Sequence, residues 1–155
     1  GIVWFCYPRI QTTYGSHHGD IPYGVKLSLA ENILPGMGYF CGDFKGLRIE
    51  GTDKPWLFTS GCKGISRYEI PLINDTWGET TGVYKVRLGF MAPPTDQAGQ
   101  RLFDICLQGK PVLKNLDIAG EAGGSDKALV KEFSGIDVDG GLGRGICLEG
   151  VESRS

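Results

Sequence analysis

The sequence has no long apolar run, no excess of positive charge and few of the residues that usually carry chemistry. No stretch approaches the length that crosses a bilayer as a helix. A formal net charge of −2 leaves no basic surface for phosphate backbones, so neither nucleic acid nor an anionic membrane is expected as a partner. Only two histidines are present, His17 and His18, adjacent in SHHGD. A metal site needs three or four convergent ligands, and Asp20 is the one further donor nearby. These residues therefore read as a solvated loop, and neither metal nor cofactor is expected. There is no GxSxG elbow, and the glycine clusters AGEAGG and GGLGRG do not lead from a strand into a helix as a phosphate-binding loop would. The five cysteines, Cys6, Cys41, Cys62, Cys106 and Cys147, are scattered without CxxC or zinc spacing. They read as small, mostly buried apolar residues with no disulfide needed for folding. DVDGG lacks the further ligands of a calcium loop, and most acidic residues sit where turn chemistry explains them. No enzyme is expected. The rival reading, a hydrolase using dispersed carboxylates, would be separated by product analysis after incubation with oligosaccharides.

Glycine is plentiful instead, at 25 residues with 8 prolines, in a chain of 155 residues. That much punctuation implies many turns and few long helices. The length suits one domain, residues 1–155, with a real core. Apolar and polar residues alternate in short runs: VKLSL (25–29), YEIPLI (68–73), VYKVRLGF (83–90) and ICLEGVE (146–152). IVWFCYPRI (2–10) is an aromatic strand candidate, and its start, GIVWFC, lacks the basic flank of a signal peptide. LRIEG (47–51) reads as a short strand, followed by a turn at TDKP and then WLFTSG (56–61). GQRLFDICLQGKPVLKNLDI (99–118) alternates twice around a Gly-containing break and reads as a hairpin. Its first run sets Phe103, Ile105 and Leu107 on one face, and its second sets Val112, Leu116 and Ile118 opposite Leu113, Asn115 and Asp117. The core is expected to hold Val86, Leu88, Phe103, Ile105 and Leu107, with Lys85, Arg87 and Gln108 exposed. A Gly-rich loop (119–128) is expected to enter one helical turn at DKALVKEF, with strands at 129–133 and 136–139. Strands every eight to twelve residues make the chain all-β, a sandwich or barrel.

Several aromatic residues stand in polar, turn-rich settings: Tyr14, Tyr23, Tyr39, Phe40, Trp56 and Trp77. Any one of them is explained by core packing. Together, on the loops of one sandwich, they form a surface on which the apolar face of a sugar ring can stack.

YKVRLGF, GQRLFDICLQGKPVLKNLDI and VKEFSGIDVDGGL resemble the central pattern of the malectin-like carbohydrate-binding domains, over residues 83–140. VWFCYP, RIEG and WLFTSGCKGI are similar to versions appended to larger secreted bacterial proteins. The resemblance implies a β-sandwich of jelly-roll type that binds carbohydrate without catalysis. It also implies a secreted or periplasmic location, with other domains of a larger chain as neighbours. The binding residues it suggests, with the loop aromatics, are Trp56, Phe58, Tyr39, Tyr14, Tyr23 and Trp77. Two departures stand out. The loop after Phe90, MAPPTDQ, has no aromatic residue where malectin carries a pair that contacts a glucose disaccharide, so that ligand is not expected. After DVDGGL the chain passes through GRG straight to its last strand, which leaves one sheet edge short or open. The alternative reading is a protein-interaction or architectural sandwich of a multidomain extracellular protein.

Overall fold

The computed structural model describes residues 30–42, 48–71, 82–138 and 145–152. The strand candidates at 2–10 and 25–29, the His17–His18 pair and the loop at 74–81 lie outside the described residues. Within them the chain is all-β with one short α-helix. The strands are β1 (Ala30–Ile33), β2 (Tyr39–Cys41), β3 (Ser60–Cys62), β4 (Ile65–Pro71), β5 (Gly82–Met91), β6 (Phe103–Leu107), β7 (Lys110–Leu116), β8 (Ala128–Val138) and β9 (Gly145–Glu152). A 3-10 turn, η1, spans Pro55–Phe58, and the helix, α1, spans Ile118–Ala122. Five strands form one antiparallel sheet in the order β1-β4-β9-β6-β7, and the pairs β2–β3 and β5–β8 stand apart from it.

The register shows how these pieces face one another. Leu107 and Tyr68 both pair with position 148 of β9, and Tyr68 also pairs with Glu31. Residues directly opposite in an antiparallel pair share a face, so Leu107, Tyr68 and Glu31 stand on one side of the large sheet. The β6 end of that face meets β5–β8. Leu107, at 2% exposure, packs with Val86 and Val138 in one buried cluster. A second holds Ala92, Ile105, Leu116, Ile118 and Ala119. Along β5 the alternation is kept, with Val86 buried and Lys85 and Arg87 exposed. Leu88 and Phe103 are half-buried at the rims of these clusters, where Phe103 meets Phe90 edge to face at 5.9 Å. On the outer face of β5–β8, Glu132 accepts from Lys85 at 2.8 Å and from Arg87, and this pairing holds its carboxyl below the ordinary carboxylate value.

Several local expectations change on physical grounds. The hairpin turn is Gln108-Gly109, with φ of 53° and 70°, the left-handed pair that matches the twist of flanking strands. That places Gln108 half-buried in the turn and not on an exposed strand face. On β7, Ile105 pairs with Leu113 and Phe103 with Leu116, while Cys106 pairs with Pro111. Two extra residues on the β7 side break its alternation, so Val112 and Leu113 both pack against the core. The second bulge is held by Asn115, at φ 52°, whose backbone N–H donates to Asp104 Oδ1 at 2.8 Å.

Ile118 is not a strand residue. Asp117 caps a helix there, its carboxylate accepting from the Gly120 N–H at 2.9 Å and from the Gly99 N–H at 2.6 Å, and these bonds lower its pKa. Gly123 ends the helix at φ 75°. ALVKEF lies in strand, not helix, and Asp126 at φ 57° and the bridged Lys127 precede it. β8 runs unbroken through the two segments expected at 129–133 and 136–139, with one extra residue absorbed beside Gly135 at φ 72°. LRIEG contributes a single bridge, Glu50 to Lys127, beside the start of β8. WLFTSG divides into the end of η1 and most of β3.

Candidate functional site

The segment Thr52–Phe58 builds a compact turn that separates two neighbouring aromatics. The Lys54 N–H donates to Thr52 Oγ1 at 3.0 Å, and the Lys54 ammonium meets Asp53 at 2.9 Å, lowering the pKa of that carboxyl. Pro55 enters η1 at its first position, where a fixed φ helps and a missing N–H costs nothing. The turn closes as the Leu57 N–H donates to the Lys54 carbonyl at 3.1 Å and the Thr59 hydroxyl to the Trp56 carbonyl at 2.9 Å. Phe58 is buried at 8% exposure. Its ring lies over Gly89 of β5, where a Cβ would stand only 3.1 Å from the ring edge. Trp56, two residues earlier, is 48% exposed.

The β2–β3 pair sorts its side chains by the strand period. Tyr39 pairs with Cys62 and Phe40 with Gly61, so Tyr39 and Cys62 share one face and Phe40 the other. The Tyr39 hydroxyl donates to the Glu31 carboxylate and lies 3.1 Å from the Tyr68 hydroxyl. Burial and the bonds to Glu31 and Tyr68 push the Tyr39 phenol well above its ordinary value. Burial and the Glu31 charge also push the Cys62 thiol up. Tyr39 is thus half-buried and anchored to β1 and β4. Phe40 is 37% exposed, with room for its ring because Gly61 has no side chain: a Cβ there would come within 3.1 Å. The Lys63 ammonium stands 5.6 Å from the Phe40 ring centre. Preceding β2, Leu34 to Met37 form a turn with Gly36 at φ 78° and the Met37 N–H on the Leu34 carbonyl at 3.1 Å. Leu34 and Met37 are exposed on it.

Trp56 and this turn lie at opposite ends of the β2–β3 pair, since the Gly42 N–H meets the Thr59 carbonyl at 2.6 Å and the Lys63 N–H meets the Gly38 carbonyl at 2.9 Å. Of the residues suggested by sequence, Trp56 projects outward, Tyr39 is turned onto the large sheet and Phe58 is packed inward. Tyr14, Tyr23 and Trp77 lie outside the described residues. Phe40 takes the exposed position beside Tyr39. The available signal was GYFCG itself, because a strand there must turn one of two adjacent aromatics outward. Among the described residues no three His, Cys, Asp or Glu side chains gather as a metal site, and no helix is long and apolar enough to cross a membrane.

Two solved structures of Bacteroides uniformis beta-glucuronidase share this fold. One, of beta-glucuronidase 2 covalently bound to cyclophellitol-6-carboxylate aziridine, matches at 20% identity with a TM-score of 0.54; the other matches at 18% identity with the same score. Each match covers 88% of this chain but 14% of the enzyme chain, so the likeness is to a small part of a much larger protein. No curated protein sequence matches significantly. The malectin domain profile matches residues 15–153, and the chain belongs to the malectin domain family, a family of carbohydrate-binding type.

Proposed function

We propose that the chain is a noncatalytic carbohydrate-binding module that recognises an oligo- or polysaccharide through exposed aromatic rings, with Trp56 as the principal contact. The observation that carries this reading is the placement of Trp56: half-exposed on a turn whose backbone is closed by hydrogen bonds and whose other aromatic, Phe58, is buried against Gly89 of β5. A ring held this way loses little freedom when a pyranose stacks on it, which favours binding. Tyr14, Tyr23 and Trp77 are further candidates from sequence. Tyr39 serves as an anchor for β2, and Phe58 as a support for Trp56. The reading places the module in a secreted or periplasmic polysaccharide-processing protein, beside other domains, and the size ratio to the beta-glucuronidase chains supports an appended role.

Titration calorimetry of wild type and Trp56→Ala against soluble glucans, xylans and galactans tests it. Weak binding is expected, micromolar to millimolar, and a loss of about 1–3 kcal/mol in the variant takes it below detection. A variant that binds as well as wild type removes Trp56 from the site. The protein-interaction reading has its own support in Val83 and Val130, 71% and 51% exposed on the outer face of β5–β8. It takes over if wild type binds no glycan on a broad panel.

A further inference from the structure

Lys63 is placed unlike the cations of β5 and β8. Lys85 and Arg87 meet Glu132, and Lys131 meets Glu121. Lys63, just after β3, has no carboxylate within ion-pair distance among the described residues, and its ammonium lies instead over the exposed ring of Phe40. Glu31, the acid bonded to the β2–β3 pair, is reached from the opposite face through Tyr39. Leu34 and Met37 are exposed on the turn before β2. Their turn is tied to the Lys63 connection by the Leu34 N–H on the Gly64 carbonyl at 2.8 Å, and Met37 packs so closely on Gly64 that a Cβ there would overlap it. The result is an exposed aromatic ring beside a cation that has no carboxylate partner among the described residues.

That combination selects a ligand with an apolar face and a carboxylate on the same unit. A neutral sugar offers Lys63 only hydroxyls, and a run of Asp or Glu side chains offers Phe40 no rigid apolar face. From this charge complementarity, and resting on the carbohydrate reading above, we infer that the Phe40–Lys63 face takes a uronic-acid residue of an acidic polysaccharide. The C–H face of the uronate covers Phe40, and its carboxylate accepts from the Lys63 ammonium in a charge-assisted hydrogen bond.

The test is calorimetry with hexamers of galacturonate and of glucuronate, with cellohexaose as a neutral sugar and hexaglutamate as a charge control. Lys63→Met keeps the aliphatic stem and removes the charge. Wild type should prefer a uronate hexamer to both controls, and Lys63→Met should weaken that binding about tenfold while leaving cellohexaose unchanged. Raising salt should weaken wild-type binding and leave the variant nearly indifferent. Uronate binding that is equal in variant and wild type overturns the inference, as does hexaglutamate binding as tightly as a uronate. If cellohexaose binds through Trp56 and Lys63→Met changes nothing, this inference falls alone. If wild type binds no sugar, the carbohydrate reading falls with it.

Discussion

The pairs β5–β8 and β2–β3 are both two-stranded antiparallel units, yet they are held in place by different means. β5 and β8 run ten and eleven residues, bury one row of side chains against β6 and β7, and carry a charged row outside. β2 and β3 have three residues each, too few to hold themselves by burial. Their position rests on the Tyr39 hydroxyl at Glu31 and Tyr68, on Gly61 beneath Phe40, and on the neighbouring turn η1. A unit fixed by hydrogen bonds can leave apolar rings in solvent without weakening the core. This division explains why the exposed aromatics Phe40 and Trp56 sit on or beside the short pair.

Four substitutions test the contrast. Leu116→Ala, at a fully buried position, should cost about 2–5 kcal/mol in chemical denaturation, the largest effect of the set. A cost below about 1 kcal/mol would mean the core is not centred between β6–β7 and β5–β8. Gly89→Ala probes the point where η1 rests on β5. The new methyl must push the Phe58 ring aside, so stability should fall by about 1–3 kcal/mol and the Trp56 fluorescence should shift. An unchanged emission spectrum would show that Phe58 does not position Trp56.

Tyr39→Phe removes only the hydroxyl and should cost about 1 kcal/mol. It should also flatten the alkaline limb of the stability profile. The folded-state pKa of Tyr39 is raised, so its contribution is complete below its ordinary value of 10.0 and declines as pH rises from there toward the folded value. Melting temperatures between pH 8 and pH 11 for the two proteins check this, and parallel curves would refute the anchor. Trp56→Ala should change stability by no more than about 0.5 kcal/mol, the smallest effect, while abolishing glycan binding. A larger loss would make Trp56 a packing residue.

The parts of the fold legible in sequence were those set by periodicity. β5 and β6 alternate cleanly, and the turn joining β6 to β7 announces itself by its glycine. What escaped was set by single residues acting on the backbone. A helix of five residues has no hydrophobic period to detect; Asp117 and Gly123 define it as caps, and such residues read equally well as loop. Gly135 fuses two apparent strands through a bulge, and the two bulges of β7 put Val112 and Leu113 on the same core. The same limit applies to the site. That Trp56 would be exposed was readable from its proline-led turn, but a three-residue strand carries no phase of its own. Only its pairing with Cys62 and Gly61 decides that Tyr39 turns inward and Phe40 outward.

The edge strand β7 has a consequence beyond this domain. Among the described residues it lies last in the sheet, with Pro111 lacking an N–H, Lys110 and Lys114 exposed, and two bulges in seven residues. A second chain seeking to extend the sheet there would find a missing donor, a broken ladder and two positive charges. Copies held at local concentrations far above those in free solution would meet one another edge to edge. At β7 such an encounter cannot propagate into fibrous aggregation.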